Sequence, residues 1–519
     1  MPNLDTNSQE RDPIYETGTE SGMYIHVDYV ASKVSMLYES IRHVIDYKEE
    51  HLLRENAIER GINRRLLLTQ KPEPFGRELI EELIRGGYFA NDAILQASAP
   101  KAQGVLARYI EALRILRVKG LVDKNFISFL YGMAACEIEE FLDPPKKELL
   151  LLEFEYETLK SQLRISGEEI KDDEKDELLY IAVNQTLLRA DQRRIYFRLM
   201  QKIYPEWFEY DASYVKEYIP MIPLAKARLD ALIGHSALKQ IRQRVRQFGI
   251  IFHTISDITA DDPERLGVLA QDPSKLATAI QRSYANRFEN LKSKLKRAGL
   301  RSVVSILFGK IFVALAIEVP VELFVGGQIM PYVLALSIVF PPSLMFFAVL
   351  SIRMPPRSNL DKLTRQVTSV IDGTFVYEPI EIHREKRGAI VSFLLTTLYA
   401  AIFLASFSGV IAGLRALQFN ALGIFIFLMF VSLIIFSATR IKQWARELVV
   451  GRQKEGILGF LFDTFSLPIV SFGKLLSGEL SRINVLILLF NLFFEAPFQS
   501  FVQFIEEWRK FIREKKEEL

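Results

Sequence analysis

Lys310, Glu318, Pro320 and Glu322 are the residues of this chain whose types and spacing most invite chemistry, because they interrupt an otherwise apolar stretch from Ser302 to Val325. If that stretch crosses a bilayer, an ionised carboxylate within it costs at least a few kcal/mol unless it finds a partner. With the crossing centred near residue 314 and a rise of about 1.5 Å per residue, Glu318 lies roughly 6 Å to the outer side and Glu322 roughly 12 Å, near the edge of a ~30 Å core. Glu322 is therefore expected to snorkel to the surface, as is Lys310 on the inner side. Glu318 is the group that must be met from within. Pro320 has no amide proton, so the carbonyl of Ala316 loses its helical partner at a similar depth.

The following apolar stretch repeats the pattern. Pro341 and Pro342 release the carbonyls of Ser337 and Ile338, and Ser337 adds a hydroxyl. Centred near residue 341, this stretch places those oxygens about 6 Å outside the midplane. Glu318, Glu322 and Ser337 thus form a candidate ion or proton site, with Pro320, Pro341 and Pro342 as the helix breaks, in the manner of the discontinuous helices of transporters. The competing reading is structural: Glu318 is protonated, or pairs with a polar group on another helix, and fixes packing.

Other chemistries lack their residues. Neither GxxxxGK[ST] nor GxGxxG occurs, so a backbone cradle for nucleotide phosphates is absent from the sequence. The six histidines, His26, His43, His51, His235, His253 and His383, form no HExxH, and no GxSxG nucleophile turn is present. The single cysteine, Cys136, excludes an intrachain disulfide and multi-cysteine metal sites. Its apolar helical context reads as packing. Glu137 and Glu140 share a helical face, but without the Glu-x-x-His partner of a di-iron centre they read as solvation or local ion pairs. No catalytic residue, metal ligand or cofactor is assigned.

The elements that must position Glu318 follow from where the apolar residues fall. The 519 residues carry 65 Lys and Arg against 63 Asp and Glu, net +2, which argues against a general polyanion binder. Residues 1–300 hold 43 basic and 46 acidic residues; the remainder holds 22 and 17 and contains four long apolar runs. Those runs, at 302–325, 329–352, 389–414 and 417–438, each reach the ~20 residues a crossing needs. Ala401, Ala405, Gly409 and Gly413 put a small-residue packing stripe on the third.

Lysine and arginine set the orientation. The basic cluster Lys292, Lys294, Lys296, Arg297 and Arg301 precedes the first run; seven cations lie between runs two and three, and five more, from Arg440 to Lys454, flank or follow the fourth. The two opposite connections contribute only Arg415. By the positive-inside rule, both termini and the central loop are expected in the cytoplasm, with two antiparallel hairpins crossing the membrane.

The expected fold is all-α: a large helical cytoplasmic N-terminal domain, a four-span α-helical membrane domain of two antiparallel hairpins at 302–438, and an amphipathic C-terminal helix. Residues 1–22 are polar, without a signal or presequence pattern, and are expected to be a disordered tail. Apolar stripes such as Val30, Val34, Leu37, Ile41 and Val44, or Leu106, Ile110, Leu113 and Leu116, read as helical. The Asp143-Pro144-Pro145 break divides this region into lobes at 23–142 and 146–300. Within 456–519, the first part is expected to re-enter or lie on the membrane. Phe498, Phe501, Ile505, Trp508 and Ile512 then form the apolar face of a helix lying in the interface or docked on the N-terminal domain.

These features imply a multi-pass membrane protein, non-enzymatic, acting as a scaffold or recruitment platform through its cytoplasmic helices. The alternative is a channel or secondary transporter for protons or small cations using the embedded carboxylate; an intramembrane enzyme is a third class without a visible nucleophile or metal set. The implied partners are the lipid bilayer, anionic lipids at Lys292–Arg301 and a cytoplasmic protein. The Arg242, Arg244 and Arg246 patch has no accompanying RNA-binding motif, so nucleic acid is not expected. A prokaryotic cytoplasmic membrane is the expected location.

Overall fold

The computed structural model describes residues 23–27, 50–68, 75–161, 171–209, 216, 218–259, 265–324, 330–352, 354–356, 358–375, 389–450, 457–482 and 508. The expected tail at 1–22, the stripe from Val30 to Val44 and all of the C-terminal stripe but Trp508 lie outside them. Among the described residues the chain is all-α, with no strand and one isolated bridge between Tyr24 and Leu95. A large helical N-terminal region precedes four helices long and apolar enough to span a membrane, and the described residues fall into two compact units, one of 23–242 with 508 and one of 243–482.

The first unit is an array of helices: α1 (Glu50–Leu68), α2 (Gly76–Arg85), α3 (Ser98–Val118), α4 (Lys124–Leu142), α5 (Lys146–Lys160), α6 (Asp172–Leu187), α7 (Gln192–Ile203) and α8 (Ile222–Ile233). At its centre α4 packs against α1, α3 and α7. Its run from Phe129 to Cys136 is buried on every face, as an all-round apolar helix must be. The Asp123 carboxylate caps it by accepting from the Phe126 amide at 2.7 Å, and Asp191 does the same for α7 through the Arg194 amide at 3.0 Å. Cys136 is fully buried, and burial pushes its thiol well above the ordinary range, in keeping with a packing role.

Buried charge ties this core together. Arg194 of α7 donates through Nε to Glu55 of α1 at 2.6 Å and through a terminal nitrogen to Glu139 of α4 at 2.7 Å. Arg198, one turn on, pairs with Glu140 at 2.5 Å. Arg108 pairs with Glu137 and lies over the Tyr109, Trp207 and Phe208 rings. Glu137 and Glu140 are thus engaged in ion pairs, one of the two readings given to them above.

The second unit opens with α9 (Gly249–Thr259) and α10 (Arg265–Ala270), followed by α11 (Pro273–Val313). Asp272 caps α11 by accepting from the amides of Ser274 and Lys275, and Pro273 occupies the first helical position. The helix runs on through a π turn, Ala314–Glu318, into α12 (Val319–Phe324), making 52 continuous helical residues. Then come α13 (Pro331–Leu350), α14 (Ser358–Ile371), α15 (Ala389–Ala416), α16 (Ala421–Ala445) and α17 (Ile457–Arg482). Four of these elements coincide with the four expected spans. Between 0 and 33% of each apolar window is buried within the protein. Phe308, Phe312, Phe347 and Leu394 stand exposed, an outer surface that water does not tolerate and lipid does.

Two polar clamps bound the apolar layer. At one end, Tyr332 donates to Gln418 at 2.6 Å and Asn420 donates to Glu322 at 3.3 Å, tying the tips of the two hairpins together. The second tip reverses in a few residues because Gln418 takes a left-handed conformation, φ 63°, at about 1 kcal/mol, while the Phe419 amide returns to the Leu414 carbonyl at 3.0 Å. At the other end, buried Asn359 donates to Tyr284 at 3.2 Å and to the Leu448 carbonyl at 2.7 Å, and accepts from the Val450 amide at 2.8 Å. Between these clamps α13 has 20 residues, about 30 Å of helix, which matches the hydrocarbon thickness.

Candidate intramembrane polar site

Glu318 ends the π turn and is buried; one carboxylate oxygen accepts from the Lys310 ammonium, and the other from the Ser337 hydroxyl of α13 at 3.2 Å. Lys310 is fully buried, with its ammonium 5.5 Å from the centroid of the Phe430 ring on α16. The arrangement gathers three helices round one ion pair. The snorkelling expected of Lys310 is thus corrected: with a carboxylate and an aromatic face inside the bundle, its long stem turns inward rather than toward water.

The π turn makes the pair possible. Eight residues of α-helix advance about 800°, leaving Lys310 and Glu318 some 80° apart around the axis. A turn bonded i to i+5 advances roughly 80° per residue, so five such residues bring the two onto nearly one face. The cause is local: Pro320 offers no amide, and the ladder before it slips by one residue, so that the Val319 amide bonds the Ala314 carbonyl. Close helix approach completes the setting. A Cβ at Gly299 would fall 2.6 Å from a side-chain methyl of Val349, and one at Gly473 2.1 Å from the Ser432 carbonyl, so the Val349 side chain packs on the bare backbone of α11, and α17 meets α16 nearly backbone to backbone.

Of the residues singled out by sequence, the structure joins Glu318 and Ser337, with Pro341 and Pro342 buried on the same helix as Ser337. It does not bring Glu322 to them. That residue, partly exposed, belongs to the tip clamp with Asn420. Pro320 is exposed and acts through the backbone. Lys292, Lys294, Lys296, Arg297 and Arg301 are all exposed along α11, below its apolar section.

Lys310 as the partner of Glu318 was missed, because an i+8 spacing does not align on a regular helix; Pro320 was the one sequence signal that the ladder there is irregular. The Arg194 network was missed as well, since its members are 55 and 139 residues apart. Beside that network lies a cavity of about 330 Å³ lined by Arg54, Arg194, Arg198, Glu139 and Asp143. The charges on its walls pair with one another, Arg54 with Asp143 and Arg194 with Glu139. Among the described residues no group of three or more His, Cys, Asp or Glu is placed to hold a metal ion.

Fold and site together define a multi-pass α-helical membrane protein with a large helical N-terminal region. Comparison with protein-family models, with curated proteins and with solved structures finds no match.

Proposed function

We propose that this is a membrane-anchored, non-enzymatic platform whose N-terminal helices lie in the cytoplasm and recruit or organise a protein partner there. The observation that carries the reading is the Asn359 clamp. It gathers the helix leading into the first span, the loop between spans two and three and the chain after span four at one end of the apolar layer, whereas the connection between spans three and four at the other end is a tight turn. Together with the distribution of Lys and Arg, this supports an orientation with the bulk of the polar chain on the cytoplasmic side. The neutralised pair at Lys310 and Glu318 favours a packing role for the embedded carboxylate.

The test is topological and functional. In a Cys136→Ala background, a cysteine at Ser358 is expected to react with an impermeant maleimide only after permeabilisation, and one at Gln418 from outside; the reverse pattern overturns the reading. In proteoliposomes, the wild type and Glu318→Gln are expected to show the same proton and monovalent-cation permeability as protein-free vesicles. A second reading, transport, draws on the placement of a carboxylate, an ammonium and a hydroxyl at an irregular helical turn. It requires flux that Glu318→Gln abolishes.

A further inference from the structure

α11 and α16 run antiparallel, because Lys294 is level with Trp444 while Lys310 is level with Phe430. Lys294, Arg297 and Arg301 are spaced by three and four residues and so share one stripe of α11; Arg440 and Trp444 share one stripe of α16. The Lys294 ammonium lies 5.1 Å from the Trp444 ring centroid, so the stripe of α11 meets that of α16 at this level; on α16 itself the Arg440 guanidinium lies 5.6 Å from the centroid of the Phe436 ring. The seam between the helices is apolar underneath, with Leu295 packed in the same cluster as Ile441 and Ala445. All four cations are exposed, and none has an ion-pair partner among the described residues. No Asp or Glu occurs in 291–301 or 436–446.

From the Lys294 level, Arg440 lies about 6 Å and Arg301 about 10 Å toward the apolar section. That span matches the headgroup layer, and a tryptophan at its edge is the usual interfacial anchor. We propose that this two-helix seam binds the phosphate of an anionic phospholipid, with Lys294, Arg297, Arg301 and Arg440 as its cations. The proposal rests on the membrane reading above and narrows its anionic-lipid partner from a single-helix cluster to a two-helix site. Four cations without an ion-pair partner among the described residues, gathered along one seam, concentrate positive potential where a diester phosphate sits, and the apolar residues beneath accept the glycerol end of the lipid.

The experiment uses the full chain in nanodiscs of phosphatidylcholine with increasing phosphatidylglycerol, reading lipid retained per protein by native mass spectrometry. The pair Lys294→Gln with Arg440→Gln is expected to weaken phosphatidylglycerol retention roughly thirty-fold, two cations' share. A charge-matched pair, Lys442→Gln with Arg446→Gln, lies on the opposite side of α16 and is expected to change it less than about threefold. Arg297→Gln with Arg301→Gln gives a second disruption should the first variant fold poorly. Equal losses in the seam and control pairs would reduce the site to diffuse surface charge and overturn the proposal. So would displacement of the lipid by millimolar inorganic phosphate, which would make it a soluble-anion site. Release of the wild type from vesicles by alkaline wash would instead remove the membrane reading itself.

Discussion

Arg194 and Lys310 are both cations held away from water against glutamates, yet the two regions satisfy them differently. In the N-terminal unit one guanidinium engages Glu55 and Glu139 at once, and its planar fork lets each carboxylate take a separate N–H. Burial still dominates there: it pushes Glu55 up to about 7, with Arg194 opposing the rise. In the apolar layer a single ammonium meets a single carboxylate, supported by one hydroxyl and one aromatic face. A protein interior can bring several long-range partners to one charge. A helix in lipid must draw on its own turns and its nearest neighbours, which is why the second site needs a π turn to exist.

The sharpest way to break this contrast is to remove the shared cation. Arg194→Met leaves Glu55 and Glu139 buried without it, and is expected to cost about 3–5 kcal/mol of stability. In chemical denaturation of the purified full chain, a loss below 1 kcal/mol would show that the network is no more than incidental contact. Lys310→Met should cost slightly less, about 2.5–3.5 kcal/mol, the cost of one charged side chain left unpaired within a membrane helix. Lys310→Met combined with Glu318→Met is expected to recover most of that loss, since a paired charge in an apolar layer is close to neutral against a packed apolar pair. Failure of the double variant to recover would assign the pair a stabilising share of its own.

Glu155 sharpens the comparison from the opposite direction, being a buried acid without a partner among the described residues. It is fully enclosed on α5, neither carboxyl oxygen has a hydrogen bond to a described residue, and desolvation raises it well above the usual carboxylate range. The folded state therefore holds its proton at pH values where the unfolded chain has lost it. Linkage then gives a stability that is fully present below the unfolded pKa and declines as pH rises toward the folded one. Glu155→Met is expected to stabilise the protein by about 1–3 kcal/mol near pH 4, where the unbonded neutral carboxyl alone is relieved, with the gain growing toward neutral pH. A denaturation series across that range that showed a pH-independent gain would mean packing, not ionisation, is what the substitution relieves.

Legibility in the sequence divides along the same line. The four spans could be read because lipid demands long uninterrupted apolar runs, and the depth of Glu318 and Ser337 followed from counting residues at a fixed rise. Their meeting could be anticipated for the same reason. Lys310 could not be placed, because its partner is visible only if the helix slips register, and Pro320 permits that slip without dictating it. Arg194, Glu55 and Glu139 were illegible for a different reason. Each sits in a helix whose local pattern is ordinary, and only tertiary packing tells which of many charged residues is inside. Charge stands out against an apolar background and disappears against a mixed one.

Ser337 offers the finest discrimination between the two regions. Its hydroxyl reaches Glu318 across helices at 3.2 Å, in a layer where interhelical hydrogen bonds average about 0.6 kcal/mol because alternative partners exist in the unfolded-in-membrane state. Ser337→Ala is expected to cost about that much in a reversible unfolding titration in mixed micelles, several-fold less than Lys310→Met. If the hydroxyl instead holds the carboxylate in place for the ammonium, the cost of Ser337→Ala will depend on Lys310. A double-mutant cycle over the two positions then yields a coupling above about 0.5 kcal/mol. Additive costs would mean that the ammonium alone holds the carboxylate, leaving the hydroxyl as one interhelical contact among many.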